Sequence, residues 1–196
     1  MTTPTADLCD EYGDAVRVLD GGFTSYGGVV AFGGPISTIA AFEDNSLVRE
    51  ALAEPGEGRV LVVAGGGSTR CAMVGGNLAE MAAANGWAGV VVDGCVRDAA
   101  ELAVAEVGIR ARGTCPRRSV KQGLGDRDVT VTMAGADFSP GMWLWADGDG
   151  MVLAAGPLGE GLSRRRAGGR RRRGRVRTRC GTRLRRTRPA VARSGR

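Results

Sequence analysis

The sequence predicts a mixed α/β domain, and two patterns lead to this prediction. Strand-like and helix-like segments alternate between residues 59 and 105, an order typical of parallel strands joined by right-handed crossovers. On both sides of this centre, short strand-like runs follow one another with turn residues between them, which is typical of antiparallel pairing. We therefore expect a mixed sheet with a second sheet layer, rather than a doubly wound parallel sheet.

The first third of the chain supplies four predicted elements. They are a helix at 5–12, strands at 16–20 and 29–42, and a helix at 44–54. Thr5 is a candidate N-cap for the first helix. Gly33-Gly34-Pro35 is expected to split the second strand, since a continuous central strand rarely accepts proline. Pro55-Gly56 ends the second helix.

The centre and the last third supply the remaining elements. They are a strand at 59–64, a helix at 76–85, a strand at 87–92, a helix at 97–105, and strands at 107–112, 128–133 and 142–153. In the run RVLVVA at 59–64, every residue after Arg59 is apolar, which indicates a buried strand. Asp147-Gly148-Asp149-Gly150 predicts a hairpin turn inside the last strand, because it lacks the twelve-residue pattern of a calcium loop.

Charge divides the chain into two parts. Residues 161–196 hold 16 arginines and no acidic residue, whereas residues 1–160 hold 11 basic and 21 acidic residues, a net charge of −10. This composition predicts a folded domain at 1–158 and a disordered, arginine-rich tail at 159–196. The tail is either a nucleic-acid contact through phosphate neutralisation, without aromatics for stacking, or a non-functional extension.

The chain contains no histidine, and this absence excludes whole classes of chemistry. Ser-His and Cys-His nucleophiles and histidine-ligated zinc are ruled out, and Lys121 is the only lysine for a Schiff base. Carboxylate ligands and bound water remain as the groups available for catalysis and metal binding. The five cysteines form no CxxC pair, and neither a secretory signal nor a membrane-spanning apolar run is visible. We expect a cytoplasmic protein with reduced thiols and no membrane contact.

Three short motifs are candidates for a site. The glycine run at 65–67 follows a strand, as in nucleotide or S-adenosylmethionine loops, but a tight turn is the simpler interpretation. Gly75-Gly76-Asn77-Leu78 opens a helix whose free amides favour an anion, unless it is an ordinary glycine-rich helix start. Arg97-Asp98 opens the next helix, with Glu101 one turn on; Asp98 and Glu101 also fit a capping box.

The stretch GGGSTRCAMVGGNLAEMAAANGWAGVVVDGCVRDAAEL at 65–102 closely resembles the RraA-like family. This family comprises the regulators of ribonuclease activity A and the 4-hydroxy-4-methyl-2-oxoglutarate aldolases. The similarity extends over about the first 155 residues and none of the tail. It implies a β/β/α swivelling-type domain that assembles as a homotrimer, or a dimer of trimers, with active sites near subunit interfaces.

The resemblance also implies a chemistry. Aldolases of this family are class II enzymes that use Mg²⁺ or Mn²⁺, cleave 4-hydroxy-4-methyl-2-oxoglutarate to two pyruvates and decarboxylate oxaloacetate. Carried onto this chain, the backbone of Gly75, Gly76, Asn77 and Leu78 would hold the carboxylate of a keto-acid substrate. Arg97 would grip its keto-acid end, and Asp98 would bind the metal, in part through water.

This chain departs from the aldolase pattern at one position, where Gly76 stands in place of an aspartate. Glu101, one turn after Asp98, is the candidate replacement as a metal-side carboxylate, acting directly or through water, because members of the family carry this pattern. The resemblance leaves a second function open, a non-catalytic regulator that binds a ribonuclease.

Overall fold

The computed structural model describes residues 2–158, and its strands form one large sheet and one small hairpin. The strands are β1 (Arg17–Val18), β2 (Thr24–Ser25), β3 (Phe32–Ala40), β4 (Val60–Val74), β5 (Gly89–Val96), β6 (Gly108–Thr114), β7 (Asp126–Arg127), β8 (Val131–Met133), β9 (Ala136–Phe138), β10 (Trp143–Ala146) and β11 (Met151–Ala154). The helices are α1 (Thr5–Tyr12), α2 (Ser46–Leu52), α3 (Gly76–Ala84) and α4 (Ala99–Leu102). The compact unit ends at Leu158, and the predicted tail at 159–196 lies outside the described residues.

The large sheet is mixed, which confirms the predicted fold class. Its strand order is β1-β11-β10-β3-β4-β5-β6-β2, with β7 paired to β3. The contacts β3–β4, β4–β5 and β5–β6 are parallel, whereas β10, β11, β1 and β2 pair antiparallel at the flanks. The alternating centre of the sequence thus forms the parallel part, because helices connect these strands.

The prediction that glycine and proline split the second strand was wrong. Gly33, Gly34 and Pro35 lie inside β3, and the strand changes partner there: residues 32–35 pair antiparallel with β10, and residues 36–40 pair parallel with β4. A Cβ at Gly34 would overlap the carbonyl oxygen of Gly58, so only glycine fits this close approach. A proline at a change of partner interrupts neither ladder.

The glycine run at 65–67 also differs from the nucleotide-loop interpretation. It lies within β4, which continues to Val74, and register irregularities toward β5 follow it. Gly66 and Gly67 have φ of 65° and 68°, the left-handed region that glycine adopts without strain. The run is therefore a bulge in a continuous strand, and no helix starts directly behind it as in a dinucleotide site.

Helices and the small hairpin cover the sheet on opposite faces. Val48 and Leu52 of α2, and Leu78 of α3, pack with Val63 and other residues of the parallel strands in one core. The β8–β9 hairpin closes the other face, where Phe138 is fully buried. None of the helices within residues 2–158 is long and apolar enough to cross a membrane.

The N-terminal helix is fastened to the β10–β11 hairpin rather than capped by Thr5. Pro4 takes the N-cap position, and the Thr5 N–H and Oγ1 donate to the Asp147 carboxylate at 2.6 and 2.7 Å. Burial raises the pKa of Asp147, but these hydrogen bonds outweigh it, and the pKa lies below its usual range. Asp147 opens the predicted hairpin turn, which the structure confirms between β10 and β11.

Candidate functional site

The candidate site lies where the four parallel strands end. The segment after β3 carries Asn45, the one after β4 begins at Gly75, the one after β5 begins at Arg97, and the one after β6 reaches Lys121. Carboxyl ends of parallel strands meet at one edge of a sheet, and ligands of open α/β sheets bind at that edge. The topology therefore brings together residues that are far apart in the sequence.

A cleft of about 130 Å³ opens at this edge. Its lining residues are Asn45, Arg49, Ala72, Gly75, Asn77, Leu78, Arg97, Asp98, Arg118, Ser119 and Lys121. Four of these side chains are cationic and one is a carboxylate, although residues 1–160 as a whole carry a net charge of −10. Positive charge is thus concentrated where a ligand would bind, which favours an anion.

Helix α3 begins with two glycines, as the sequence predicted, but its amides are not all free. Leu78 N–H donates to Gly75 O at 3.0 Å, and Gly76 N–H donates to Asp98 Oδ2 at 3.2 Å. Within residues 2–158, the amide of Asn77 donates to no protein atom at this helix start. Of the helix-start amides expected to be free, that of Leu78 is therefore occupied by its bond to Gly75, and that of Asn77 remains free.

Arg97 and Asp98 form the rim of the cleft. Arg97 Nε lies 3.3 Å from Asp98 Oδ2, and the two side chains are 38% and 36% exposed. Both residues also line a neighbouring cleft of about 250 Å³ that contains Cys115. In the part of the chain that the structure describes, the Arg97 Nη atoms contact no protein acceptor, so they are available to a ligand.

Asp98 adopts an unusual backbone conformation for a residue other than glycine. Its φ of 58° and ψ of 46° lie in the left-handed region, which costs an aspartate roughly 1 kcal/mol. This conformation turns the carboxylate back toward α3, where it accepts the Gly76 N–H. Gly75 leaves room for it, since a Cβ there would lie 2.6 Å from Asp98 Oδ2. The missing side chain at position 75 therefore allows the Asp98 carboxylate, at the start of α4, to reach the start of α3.

The capping-box interpretation of Asp98 and Glu101 was wrong. The Asp98 side chain makes no hydrogen bond to the amides of α4, and Glu101 N–H donates to the Asp98 backbone oxygen at 2.9 Å. Neither carboxylate therefore caps α4. Their side chains point toward the start of α3 instead, because Asp98 binds the Gly76 amide and Glu101 lies against Gly76.

Gly76 and Glu101 occupy complementary space. A Cβ at position 76 would overlap Glu101 Oε2 and lie 2.8 Å from Glu101 Cδ. Neither Gly76 nor Glu101 lines the 130 Å³ cleft. Gly76 is nevertheless connected to the cleft, because its N–H donates to Asp98, which is a lining residue. The Glu101 carboxylate can therefore lie where it does only because position 76 has no side chain.

The sequence analysis missed the wall of the cleft opposite Arg97 and Asp98. Asn45 donates through Nδ2 to Met73 O at 3.1 Å, while its buried Oδ1 has no partner within residues 2–158. The buried Ser119 Oγ is likewise unpaired in that range. Arg118 and Lys121 add positive charge on the same segment. One signal was visible in the sequence, a cluster of three cations at 117–121 in an acidic domain.

Comparisons with known proteins identify the family of the chain. The family described as "RraA-like: Aldolase/RraA" matches residues 5–153. A relative from Alkalilimnicola ehrlichii, named "Putative 4-hydroxy-4-methyl-2-oxoglutarate aldolase", is 58% identical over 158 residues, which are 81% of this chain and 98% of the relative.

Two solved structures are similar in fold and sequence. The RNA-processing inhibitor RraA from Thermus thermophilus has a TM-score of 0.78 and 45% identity, covering 82% of this chain and 97% of its own. A protein from Geobacillus kaustophilus, titled S-adenosylmethionine:2-dimethylmenaquinone methyltransferase, has a TM-score of 0.77 and 48% identity, covering 80% and 97%. On the family match and these relatives, the chain belongs to the RraA-like family.

Proposed function

We propose that this protein is a divalent-metal-dependent carbon–carbon lyase that cleaves 4-hydroxy-4-methyl-2-oxoglutarate to two pyruvates and decarboxylates oxaloacetate. The observation that supports the proposal is the cationic cleft at the start of α3, with the Asp98 and Glu101 carboxylates turned toward that helix. Relatives named as aldolases of this substrate, 58% and 55% identical, support the reaction class.

The donor set fits Mg²⁺ or Mn²⁺. Residues 2–158 contain no group of three or more carboxylate, thiol or imidazole side chains that would enclose a metal. Mg²⁺ does not require such a cage, because it keeps several waters and is commonly held by one or two carboxylates together with its substrate. Asp98 would hold the cation, and Glu101 would bind it or orient its water. Bound there, the cation supplies positive charge beside the substrate's keto oxygen.

The chain's own residues bind the substrate as a dianion. Both proposed substrates carry two carboxylates. The free amide of Asn77 and the Arg97 guanidinium hold the keto-acid end. Arg49, Arg118 and Lys121 line the same cleft and attract the second carboxylate. A monocarboxylate of similar size lacks this second attraction and would bind more weakly.

Both reactions break a carbon–carbon bond whose electrons move toward the keto oxygen and leave pyruvate enolate. Arg97 stabilises the negative charge that develops there, and it does so without reorganisation because its Nε is already held by Asp98. In the aldol cleavage, the substrate hydroxyl must lose its proton. With no histidine in the chain, Glu101 serves this step by orienting the water that takes up the proton.

The proposal is tested by measuring pyruvate release from both substrates with and without added Mg²⁺. Activity is expected with the metal and is lost in EDTA. Arg97→Ala and Asp98→Asn are each expected to lower kcat/KM about a hundredfold, the scale for losing one preorganised charge-stabilising group. Asparagine is chosen at position 98 because it tolerates left-handed backbone, so the variant keeps its fold.

Glu80→Gln is the matched control, because Glu80 is an exposed carboxylate on α3 outside the cleft lining, and its activity should equal that of the wild type. Lys121 lines the cleft and is the only lysine available for a Schiff base. Full activity in EDTA, or a borohydride-trapped adduct on Lys121, would refute the metal-dependent mechanism.

A second candidate function is regulation of a ribonuclease by direct binding. The similarity to RraA from Thermus thermophilus, 45% identical with a TM-score of 0.78, favours it. The two functions separate in one comparison: Arg97→Ala should lower pyruvate release about a hundredfold, whereas a surface-mediated inhibition of RNA cleavage should be unchanged by it. Inhibition of a ribonuclease by a protein that releases no pyruvate would support the regulator instead.

A further inference from the structure

One wall of the cleft is a segment that apolar packing does not hold. Residues 117–124, called here the strap, carry Arg118, Ser119 and Lys121 of the cleft lining. The two large apolar side chains of the strap, Val120 and Leu124, are 50% and 57% exposed. Something other than hydrophobic burial must therefore fix the strap in place.

Hydrogen bonds to residues 43–46, just before and at the start of α2, fix it, and the Asp44 side chain accepts two of the four. Asp44 Oδ2 accepts the N–H groups of Gln122 at 2.7 Å and Leu124 at 3.2 Å, while Oδ1 accepts the Ser46 N–H at 2.8 Å. The Asp44 side chain is fully buried, and no cation pairs with it in the described residues. One carboxylate thus binds the helix start with one oxygen and the strap with the other.

Neighbouring contacts place the strap but depend less on side chains. Val120 N–H donates to Glu43 O at 3.0 Å, and Gly123 N–H donates to Ser46 Oγ at 3.2 Å. At its other end, Arg117 O accepts the Ala72 N–H at 2.8 Å. Lys121 lies between the Val120 and Gln122 bonds, so both of them fix the backbone that carries its side chain.

We propose that Asp44 is a positioning residue, which holds the strap so that Arg118 and Lys121 face the second carboxylate of a dianionic substrate. The proposal rests on the proposed function. It adds a determinant of substrate selectivity that does not itself touch the substrate. Asp44 lies directly before Asn45, so one short segment after β3 supplies both a cleft residue and the anchor of the strap.

The first test uses a feature of the sequence: Lys121 is the only lysine of the full chain, so a lysine-specific protease has a single site. In Asp44→Asn the side chain has a single acceptor oxygen, whereas the carboxylate accepts backbone N–H groups with both of its oxygens. The substitution is expected to speed cleavage after Lys121 about tenfold or more, because the strap opens locally. Asp147→Asn is the matched control, since Asp147 also accepts backbone N–H groups but lies outside the cleft lining. It should be cut at the wild-type rate.

The second test is steady-state kinetics of pyruvate release. Asp44→Asn is expected to raise KM for oxaloacetate about tenfold or more, the scale of residues that orient a binding group, with kcat changed less than about threefold. Gln122→Pro removes the same hydrogen bond from the exposed strap side and should reproduce the KM effect without altering the buried carboxylate.

The outcomes separate the two proposals. A folded Asp44→Asn protein with the wild-type cleavage rate overturns the anchoring role, and faster cleavage with wild-type KM overturns the role in selectivity. If the wild type releases no pyruvate, the proposed function fails, and protease cleavage alone then decides whether Asp44 holds the strap.

Discussion

Glu101 fills the space that a side chain at position 76 would need. The family's aldolase pattern, as the sequence resemblance describes it, places an acid at the position of Gly76. In this chain the Glu101 carboxylate lies against the Gly76 Cα instead. A negative charge next to Asp98 can therefore come from either helix start, but not from both without one side chain moving.

We predict that Glu101→Gln lowers pyruvate release tenfold or more, on the scale of outer-shell metal partners. The thermal unfolding midpoint should move little, because Glu101 is exposed and makes no capping hydrogen bond that the fold needs. A glutamine variant with unaltered turnover and metal affinity would leave Glu101 without a chemical role.

The reciprocal variant tests whether the charge can return to α3. Gly76→Asp combined with Glu101→Ala should recover part of the activity lost in Glu101→Ala alone. Alanine is required at position 101, because glutamine would still overlap the new Cβ. No recovery in a folded double variant would show that the two positions are not equivalent.

The sequence identified one side of the cleft and missed the other for a physical reason. Gly75, Asn77, Arg97 and Asp98 follow two successive strands, so their meeting could be predicted from parallel pairing. The strap reaches the same cleft through single hydrogen bonds to a segment 78 residues away. No periodicity encodes such a contact.

At the scale of elements, helix starts and the strap carry the site, while the strands only place them. The positions of α1 and α3 were predicted within a residue, because their apolar spacing and glycine borders are local signals. β3 was predicted incorrectly, since its continuity depends on β10, more than a hundred residues later. The short strands β2 and β7 were missed because they have only two residues each, whereas β1 lies within the strand predicted at 16–20.

The anchoring of the strap makes stability depend on pH. Burial raises the pKa of Asp44, but the hydrogen bonds from Ser46, Gln122 and Leu124 outweigh it and lower the pKa to about 2 from 3.8. A carboxylate whose pKa is lower in the folded state stabilises the fold above its unfolded pKa and loses this contribution as pH falls toward 2. The full contribution is about 2 kcal/mol at neutral pH, and about half of it is lost by pH 3.

We predict that the difference in unfolding free energy between wild type and Asp44→Asn shrinks by about 1 kcal/mol from pH 6 to pH 3. Urea unfolding at both pH values measures it, and the remaining carboxylates titrate alike in the two proteins and cancel. A difference that stays constant across this range would show that Asp44 is not ionised in the folded protein at neutral pH.

At the scale of the whole molecule, the chain divides into an acidic part, residues 1–158, and an arginine-rich tail, residues 159–196. Residues aligned with the relative from Alkalilimnicola ehrlichii are 81% of this chain but 98% of that protein, and the family match ends at residue 153. The cleft residues all lie within the compact unit that ends at Leu158. We therefore expect the site to form without the tail.

We predict that a chain ending at residue 158 keeps the thermal midpoint, the pyruvate release and the trimer that the family resemblance implies. Size-exclusion chromatography with light scattering, calorimetry and the pyruvate assay measure the three properties. Binding to RNA is the comparison measurement, since only the full chain carries the 16 tail arginines. Loss of the trimer on truncation would assign the tail a structural part.

The change of partner within β3 has a consequence for biosynthesis. Pro35 pairs with Trp143, which lies 108 residues later in the chain. At a synthesis rate of about 10 residues per second, the first half of β3 therefore has no partner strand for about ten seconds. An unpaired strand edge of that kind invites pairing with other nascent chains. Gly33-Gly34-Pro35 opposes it, because glycine has little tendency to extend and proline offers no N–H donor to a foreign strand. We therefore expect these three residues to limit pairing of β3 with other chains until β10 has been made.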